Sequence, residues 1–276
     1  MQPLITINNL SHLFDRRKTD GIDDLNLQIE EGQIFSIVGP SGSGKTTTLK
    51  CIRGLISNFT GEITFHKDVK ISYLDQYIEL PQETSVLDFL FEELKKEHLD
   101  EDQASNQVRT ILAQLELTNE INSHINQLSG GQKQRLIIAK SLILNPTLLL
   151  LDEPFSNLDN LLRKQLLSEL FDFFKTKDLT IIWITHNTEE ALSFSDRIAL
   201  LNYGKLQQIG SPQEIYLTPA NLFTAKFFTE SNLIPSKLES ADEENIYFKL
   251  FKHTFKIHKP HSFKVITADE KQDILV

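Results

Sequence analysis

One stretch constrains this chain more than any other. It reads Gly39-Pro40-Ser41-Gly42-Ser43-Gly44-Lys45-Thr46-Thr47 and fits the pattern G-x-x-x-x-G-K-[ST]. The apolar run Ile34-Phe35-Ser36-Ile37-Val38 precedes it with the length of a strand. Thr48-Leu49-Lys50-Cys51-Ile52 follows it with the character of a helix. Strand, glycine-rich loop and helix start together make an anion cradle. The glycines let successive N–H groups turn inward, and the helix N-terminus adds unpaired donors and a favourable dipole. In such a cradle Lys45 reaches the β- and γ-phosphates of a nucleotide, and the Thr46 hydroxyl binds Mg²⁺. A mere glycine turn with one exposed lysine would not need these flanks.

A second apolar run, residues 148–151, ends in Asp152-Glu153-Pro154. Apolar runs without alternation suit parallel strands covered on both faces. Residues 180–185 form another such strand ending at His186, and residues 198–201 one more, closed by Asn202-Tyr203-Gly204. Helical spacing appears between them, in Leu162, Leu166, Leu167, Leu170 and Phe174. The alternation of strands and helices predicts an open α/β sheet. Such sheets bind ligands outside the carboxyl ends of their strands. That places Asp152 to hold Mg²⁺, Glu153 to polarise an attacking water, and His186 to contact a γ-phosphate or orient Glu153. Phosphoryl transfer needs this kind of charge and alignment more than covalent chemistry.

Other segments have a coarser reading. Residues 4–10 and the alternating Leu25, Leu27 and Ile29 predict strands, as do residues 63–65 and 70–74. Residues 84–99 and 103–117 predict helices, and residues 119–127 a polar loop. Leu128-Ser129-Gly130-Gly131-Gln132 opens a further helix, stopped at Asn145-Pro146. Its glycine-rich start is a second anion site, and spacing does not say whether it serves the first site in the same chain or from another subunit. Phe14, before the charged residues 15–18, reads either as a core aromatic or as a platform for adenine; taken alone, the core reading is favoured. Residues 246–251 and 262–267 predict short strands in a locally basic C-terminal stretch with Lys249, Lys252, Lys256, Lys259, Lys264, His253, His258 and His261. These read either as a surface for a nucleic acid or another anionic partner or as the solvated face of a small β-domain, and the second reading is favoured.

Composition excludes some classes. The net charge is −10, from 38 acidic against 28 basic residues, which disfavours non-specific binding to nucleic acid. Cys51 is the only cysteine, so no disulfide forms within the chain. No apolar stretch is long enough to span a bilayer, and Met1-Gln2-Pro3-Leu4-Ile5 lacks the basic n-region of a signal peptide. The expectation is a cytosolic chain that meets a membrane only through a partner.

Taken together, the ordered motifs resemble the nucleotide-binding subunit of an ATP-binding cassette (ABC) transporter, over roughly residues 4–228. Residues 39–46 resemble Walker A, and residues 148–152 Walker B, with Glu153 as the catalytic glutamate. Residues 128–132 are similar to the family signature. Gln76 resembles the Q-loop glutamine, Ser156-Asn157-Leu158-Asp159 the D-loop, His186 the switch histidine, and Phe14 the adenine-stacking aromatic.

The resemblance implies a P-loop ATPase fold with an antiparallel β-subdomain, a helical signature subdomain at about 84–145, an ATPase domain over 1–230 and a short β-rich extension over 231–276. It implies ATP and Mg²⁺ as cofactors, with Thr46, Gln76 and Asp152 at the metal. Two cassettes pair head to tail, so that Ser129 and Gly131 of one meet the γ-phosphate on the other, with Gly130, Gln132 and Asp159 alongside. A groove near residues 77–90 receives a coupling helix of the membrane permease. Residues 195–198 and 204–216, with Pro219, Phe223 and residues 225–227, resemble the importer subgroup for sugars, polyamines, ferric iron, sulfate or molybdate.

The expected protein is thus the ATPase of a bacterial importer. It works as a homodimer at the cytoplasmic face of the membrane, with permease subunits and, indirectly, a solute-binding protein. An exporter or lipid-transport cassette is the second reading. A soluble cassette acting on nucleic acid or ribosomes is the third, and lacks support because neither long coiled-coil insertions nor a second cassette is present.

Overall fold

The structure is a computed structural model that describes residues 3–14, 21–75, 78–95, 99–156, 158–177, 179–229, 237–242, 244–250 and 253–258. Its centre is a six-stranded sheet of β5 (Ile71–Leu74), β6 (Leu148–Asp152), β7 (Thr180–Ile184), β3 (Ile34–Val38), β8 (Arg197–Asn202) and β9 (Lys205–Gly210), in that spatial order. The first five are parallel, and β9 closes the edge antiparallel.

The continuous apolar runs are explained by cover on both faces. Successive side chains of a strand point to opposite faces. Leu149, Leu151, Ile181 and Trp183 pack on one side with Leu167 and Phe171 of α5 (Asn160–Lys175). Leu148, Leu150, Ile182 and Ile184 pack on the other with Leu49 and Ile52 of α1 (Lys45–Arg53). That second core also takes Leu25, Leu27 and Ile29 from β2 (Gly21–Glu30). With β1 (Pro3–Leu13) and β4 (Thr60–Phe65), β2 forms a separate three-stranded antiparallel sheet in the order β2-β1-β4.

Three helices stand together on the α5 side: α2 (Val86–Leu94), α3 (Glu101–Gln114) and α4 (Gly130–Leu142). Each starts at a side-chain cap, Ser85, Asp100 or Ser129. These caps correct the expected boundaries. The helix expected over 84–99 ends at Leu94. The one expected over 103–117 begins earlier, because Asp100 and Gln103 form a capping box, and ends at Gln114, before Glu116 turns to a φ of 57°. The polar loop of 119–127 carries two short 3₁₀ turns.

Between β7 and β8 lies α6 (Thr188–Phe194), and after β9 come α7 (Pro212–Leu217) and α8 (Leu222–Phe228). Next in the chain is a three-stranded antiparallel sheet of β10 (Lys237–Ala241), β11 (Asn245–Leu250) and β12 (His253–His258). The expected strand at 246–251 is β11. Its two neighbours, β10 and β12, were not anticipated. The strand expected at 262–267, with Lys252, Lys259, His261 and Lys264, lies outside the described residues. Among the described residues no helix is long and apolar enough to cross a membrane.

Candidate functional site

The sheet order brings the loops after β3, β6 and β7 to one edge, with β7 between the other two. The loop after β3 is the glycine-rich one. Its tight path has physical causes at two positions. Gly39 has a φ of 153°, and a Cβ there would sit 2.2 Å from the Leu201 carbonyl oxygen. Gly44 has a φ of 97°, and a Cβ would sit 2.5 Å from the Gly21 carbonyl oxygen. No side chain fits either place. Pro40, Ser41 and Gly42 are exposed at the tip, and Thr46 and Thr47 are half-buried in the first turn of α1.

Lys45 is buried under this loop. Its Nζ donates to the Gly39 and Pro40 carbonyls at 2.9 and 3.0 Å. Burial holds its pKa below the usual lysine value, opposed by the nearby Glu153 and Asp152 carboxylates. The Ser43 hydroxyl is buried without a hydrogen-bond partner. A hydroxyl with no partner among the described residues and a cation held by loop carbonyls fit an anion of several oxygens.

Asp152 ends β6 at 2% exposure. It accepts from the Thr46 hydroxyl at 3.0 Å and from the Tyr73 hydroxyl at 3.3 Å. Burial raises its pKa, and Asp75 and Glu153 push the same way against the two hydroxyl donors. One buried carboxylate beside a hydroxyl is a hard-oxygen donor set. It suits Mg²⁺, which takes one or two protein ligands and completes its shell with water and phosphate oxygens. Among the described residues no group of three or more His, Cys, Asp or Glu could hold a metal ion by itself.

Glu153 follows in a left-handed conformation, with a φ of 46°. For a side chain of this size that costs about 1–3 kcal/mol. The turn is held by the Glu153 N–H donating to the Ile184 carbonyl at 3.2 Å. The Glu153 carboxylate meets His186, whose Nδ1 lies 3.0 Å from Glu153 Oε2. Two consecutive acids thus face different partners.

The remaining expected residues fall in three places. Ser129 caps α4: its hydroxyl accepts from the Gln132 N–H at 3.3 Å, and Gln132 Oε1 accepts from the Ser129 N–H at 2.9 Å. Ser129 and Gly130 are exposed, and the space beside Ser129 and Gly131 is lined by Glu116, Arg135, Leu162 and Glu169, not by the phosphate loop. Asp159 caps α5 by accepting from the Leu162 N–H at 3.0 Å. Gln76 and Asn157 lie outside the described residues.

Phe14 is 49% exposed, so the core reading is corrected. It stands edge to face with His12 at 4.5 Å between ring centroids. The His12 Nδ1–H donates to the Asn58 carbonyl at 2.8 Å, which fixes the imidazole under the aromatic ring.

Sequence reasoning missed two residues around Asp152 and Phe14. Tyr73 was read only as part of a strand, although its place one residue before the carboxyl end of β5 was a usable signal. His12 gave none, because its partner Asn58 is remote in the chain.

Known proteins resemble this chain over most of its length. Residues 22–156 match the protein family described as ABC transporter. The chain is 34% identical over 282 residues to the spermidine/putrescine import ATP-binding protein PotA of Borreliella afzelii, covering 99% of this chain and 79% of that protein. It is 39% identical over 251 residues to the protein of the same name from Fusobacterium nucleatum, covering 88% and 66%. The sulfate/thiosulfate import ATP-binding protein CysA of Halalkalibacterium halodurans is 35% identical over 265 residues, covering 91% and 72%. A solved metal-chelate type ABC transporter in an inward-facing conformation superimposes with a TM-score of 0.71 at 22% identity, covering 94% of this chain and 98% of that one. That last likeness is one of fold.

Proposed function

The chain belongs to the ABC transporter family, and from that premise we propose that it is the ATP-binding and ATP-hydrolysing subunit of a bacterial importer that works as a pair of identical cassettes on membrane permease subunits. The observation that carries this reading is the meeting of three loops: Thr46 at 3.0 Å from Asp152, and His186 at 3.0 Å from Glu153, beside the Lys45 cradle.

Each side chain has a task. The N–H groups of residues 39–46 and the Lys45 ammonium hold the β- and γ-phosphates. Bound phosphate replaces the Gly39 and Pro40 carbonyls as the partner of Lys45, which raises the charge available at the γ-phosphate. Phe14 stacks on adenine. Thr46 and Asp152, with Gln76, hold Mg²⁺. When bound, that ion neutralises charge developing on the phosphate oxygens. Glu153 accepts a hydrogen bond from the attacking water, and His186 orients the Glu153 carboxylate and meets the γ-phosphate. Ser129 and Gly131 of a second copy close the site, supported by the exposed α4 start and by a lining that lacks the phosphate loop. Asp159 sits at the same junction. ATP binding closes the pair, and hydrolysis reopens it.

Cargo is not set by these residues. The relatives' names include importers of cationic polyamines and of anionic sulfate or thiosulfate, so one ATPase site serves solutes of opposite charge. Selection belongs to the permease and to a solute-binding protein. The cassette then sits at the cytoplasmic face of the membrane, held there by the permease. The ATPase domain is assigned to 1–230, with a helical subdomain at about 84–145, and the extension to 231–276.

The test is copurification from membranes with Glu153→Gln as bait in the presence of ATP. Capture of a permease pair supports the assignment and, through its solute-binding partner, identifies the cargo. Capture of ribosomes or nucleic acid without membrane protein overturns it.

A further inference from the structure

One buried ion pair has no task in the chemistry above. Arg163 and Glu190 are 8% and 4% exposed, and Arg163 Nη2 donates to Glu190 Oε2 at 2.9 Å. The same carboxylate oxygen accepts from the Thr185 hydroxyl at 2.8 Å. The Thr185 oxygen in turn accepts from the Asn187 N–H at 3.1 Å, and Asn187 Oδ1 accepts from the Glu190 N–H at 3.3 Å. Both flanks of His186 are therefore bonded into one network, while its own side chain is half exposed and touches Glu153.

The other end of the network is equally placed. Arg163 lies in the first turn of α5, and its N–H donates to the Asp159 carbonyl at 2.9 Å. Asp159 caps that same turn. A second, exposed pair runs alongside, Lys164 to Glu189 at 3.2 Å. The link thus joins the segment expected at the junction between cassettes to the loop carrying the switch histidine. Buried ion pairs are a weak source of stability compared with apolar packing of equal volume, and fixing a geometry is their better-attested use.

We propose that Thr185, Glu190 and Arg163 form a positioning strut that holds the His186 backbone to the α5 start, so that His186 stands at Glu153 only while the Asp159 segment is seated. None of the three touches substrate. They act through His186, and the proposal rests on the histidine role assigned above.

The test uses the intact chain and steady-state ATP hydrolysis, with nucleotide affinity and melting temperature measured in parallel. Thr185→Val keeps the shape and removes the hydroxyl. It is expected to lower kcat by about 10- to 100-fold, as small misplacements of catalytic groups do, with KM and nucleotide affinity nearly unchanged. Thr185→Ser restores the rate, and Arg163→Lys retains more of it than Arg163→Met. In a His186→Ala background, Thr185→Val causes no further loss, because both changes remove one interaction. An equal loss in that background, or no loss of kcat in the parent, overturns the strut. A fully active His186→Ala overturns the histidine assignment itself, and the strut with it.

Discussion

Glu153 combines an unusual backbone with the side chain assigned to water activation. A left-handed conformation at a non-glycine residue costs energy and persists where the surroundings enforce it. Here the enforcing contacts are the Ile184 carbonyl and the His186 imidazole. Replacing the carboxylate by an amide keeps the shape but removes the negative charge and one of the two acceptor oxygens, so the group no longer acts as a base toward water. Glu153→Gln is expected to lower the hydrolysis rate by about 10²–10⁴-fold with ATP affinity retained, as measured by steady-state kinetics and nucleotide titration. A variant with unimpaired hydrolysis would remove Glu153 from the mechanism.

Cys51, on the buried side of α1, shows the opposite use of burial. It is 3% exposed, and desolvation pushes its thiol up to about 11. The fold favours the neutral thiol, so this contribution to stability is whole below pH 9. It is lost as pH rises through about 11, where the folded thiol must also ionise. Native protein at pH 8 should resist thiol alkylation that goes to completion in denaturant, as read by mass spectrometry. Cys51→Ala should lose stability less steeply between pH 9 and 11 in denaturant titrations.

Among the elements, α4 was legible at its start and the helical subdomain less so at its ends. Ser129, with Gln132 three residues on, is a capping pair visible in the chain. Glu116, by contrast, ends α3 through a turned backbone that no periodicity reports. If Ser129 served only as a partner's phosphate contact, its removal would leave the subunit's stability unchanged. The observed capping box predicts otherwise. Ser129→Ala should reduce the free energy of unfolding by about 1 kcal/mol, measured by urea denaturation without nucleotide. The weakening of ATP-driven pairing would be a separate effect, read by sedimentation. Strands β3, β6 and β7 were legible because each is apolar on both faces. The strands β10 and β12 were not, because polar residues such as Glu239, Ser240, Thr254 and Lys256 break up their apolar pattern.

Across the whole molecule, the six-stranded sheet and its helices carry the two largest cores, and the sheet β10-β11-β12 is bonded only within itself among the described strands. A chain cut after residue 230 should therefore keep nucleotide binding and hydrolysis within about threefold of the parent, by the same assays. Loss of folding in that variant would instead make the extension part of the ATPase domain.

The loop chemistry was readable from neighbouring residues alone. Glycines that accept a left-handed turn, a lysine and a threonine at a helix start, and an acid after a leucine run each carry their meaning locally. Which loops meet was decided by the tertiary structure. Insertion of β7 between β6 and β3 sets His186 beside Glu153, 33 residues away, and Thr46 beside Asp152, 106 residues away. The same packing exposed Phe14, bonded Tyr73 to Asp152, and joined Arg163 to Glu190 through the base of the histidine loop. Such pairings depend on strand order, and strand order follows from burying both faces of the sheet at once, a property of the whole chain.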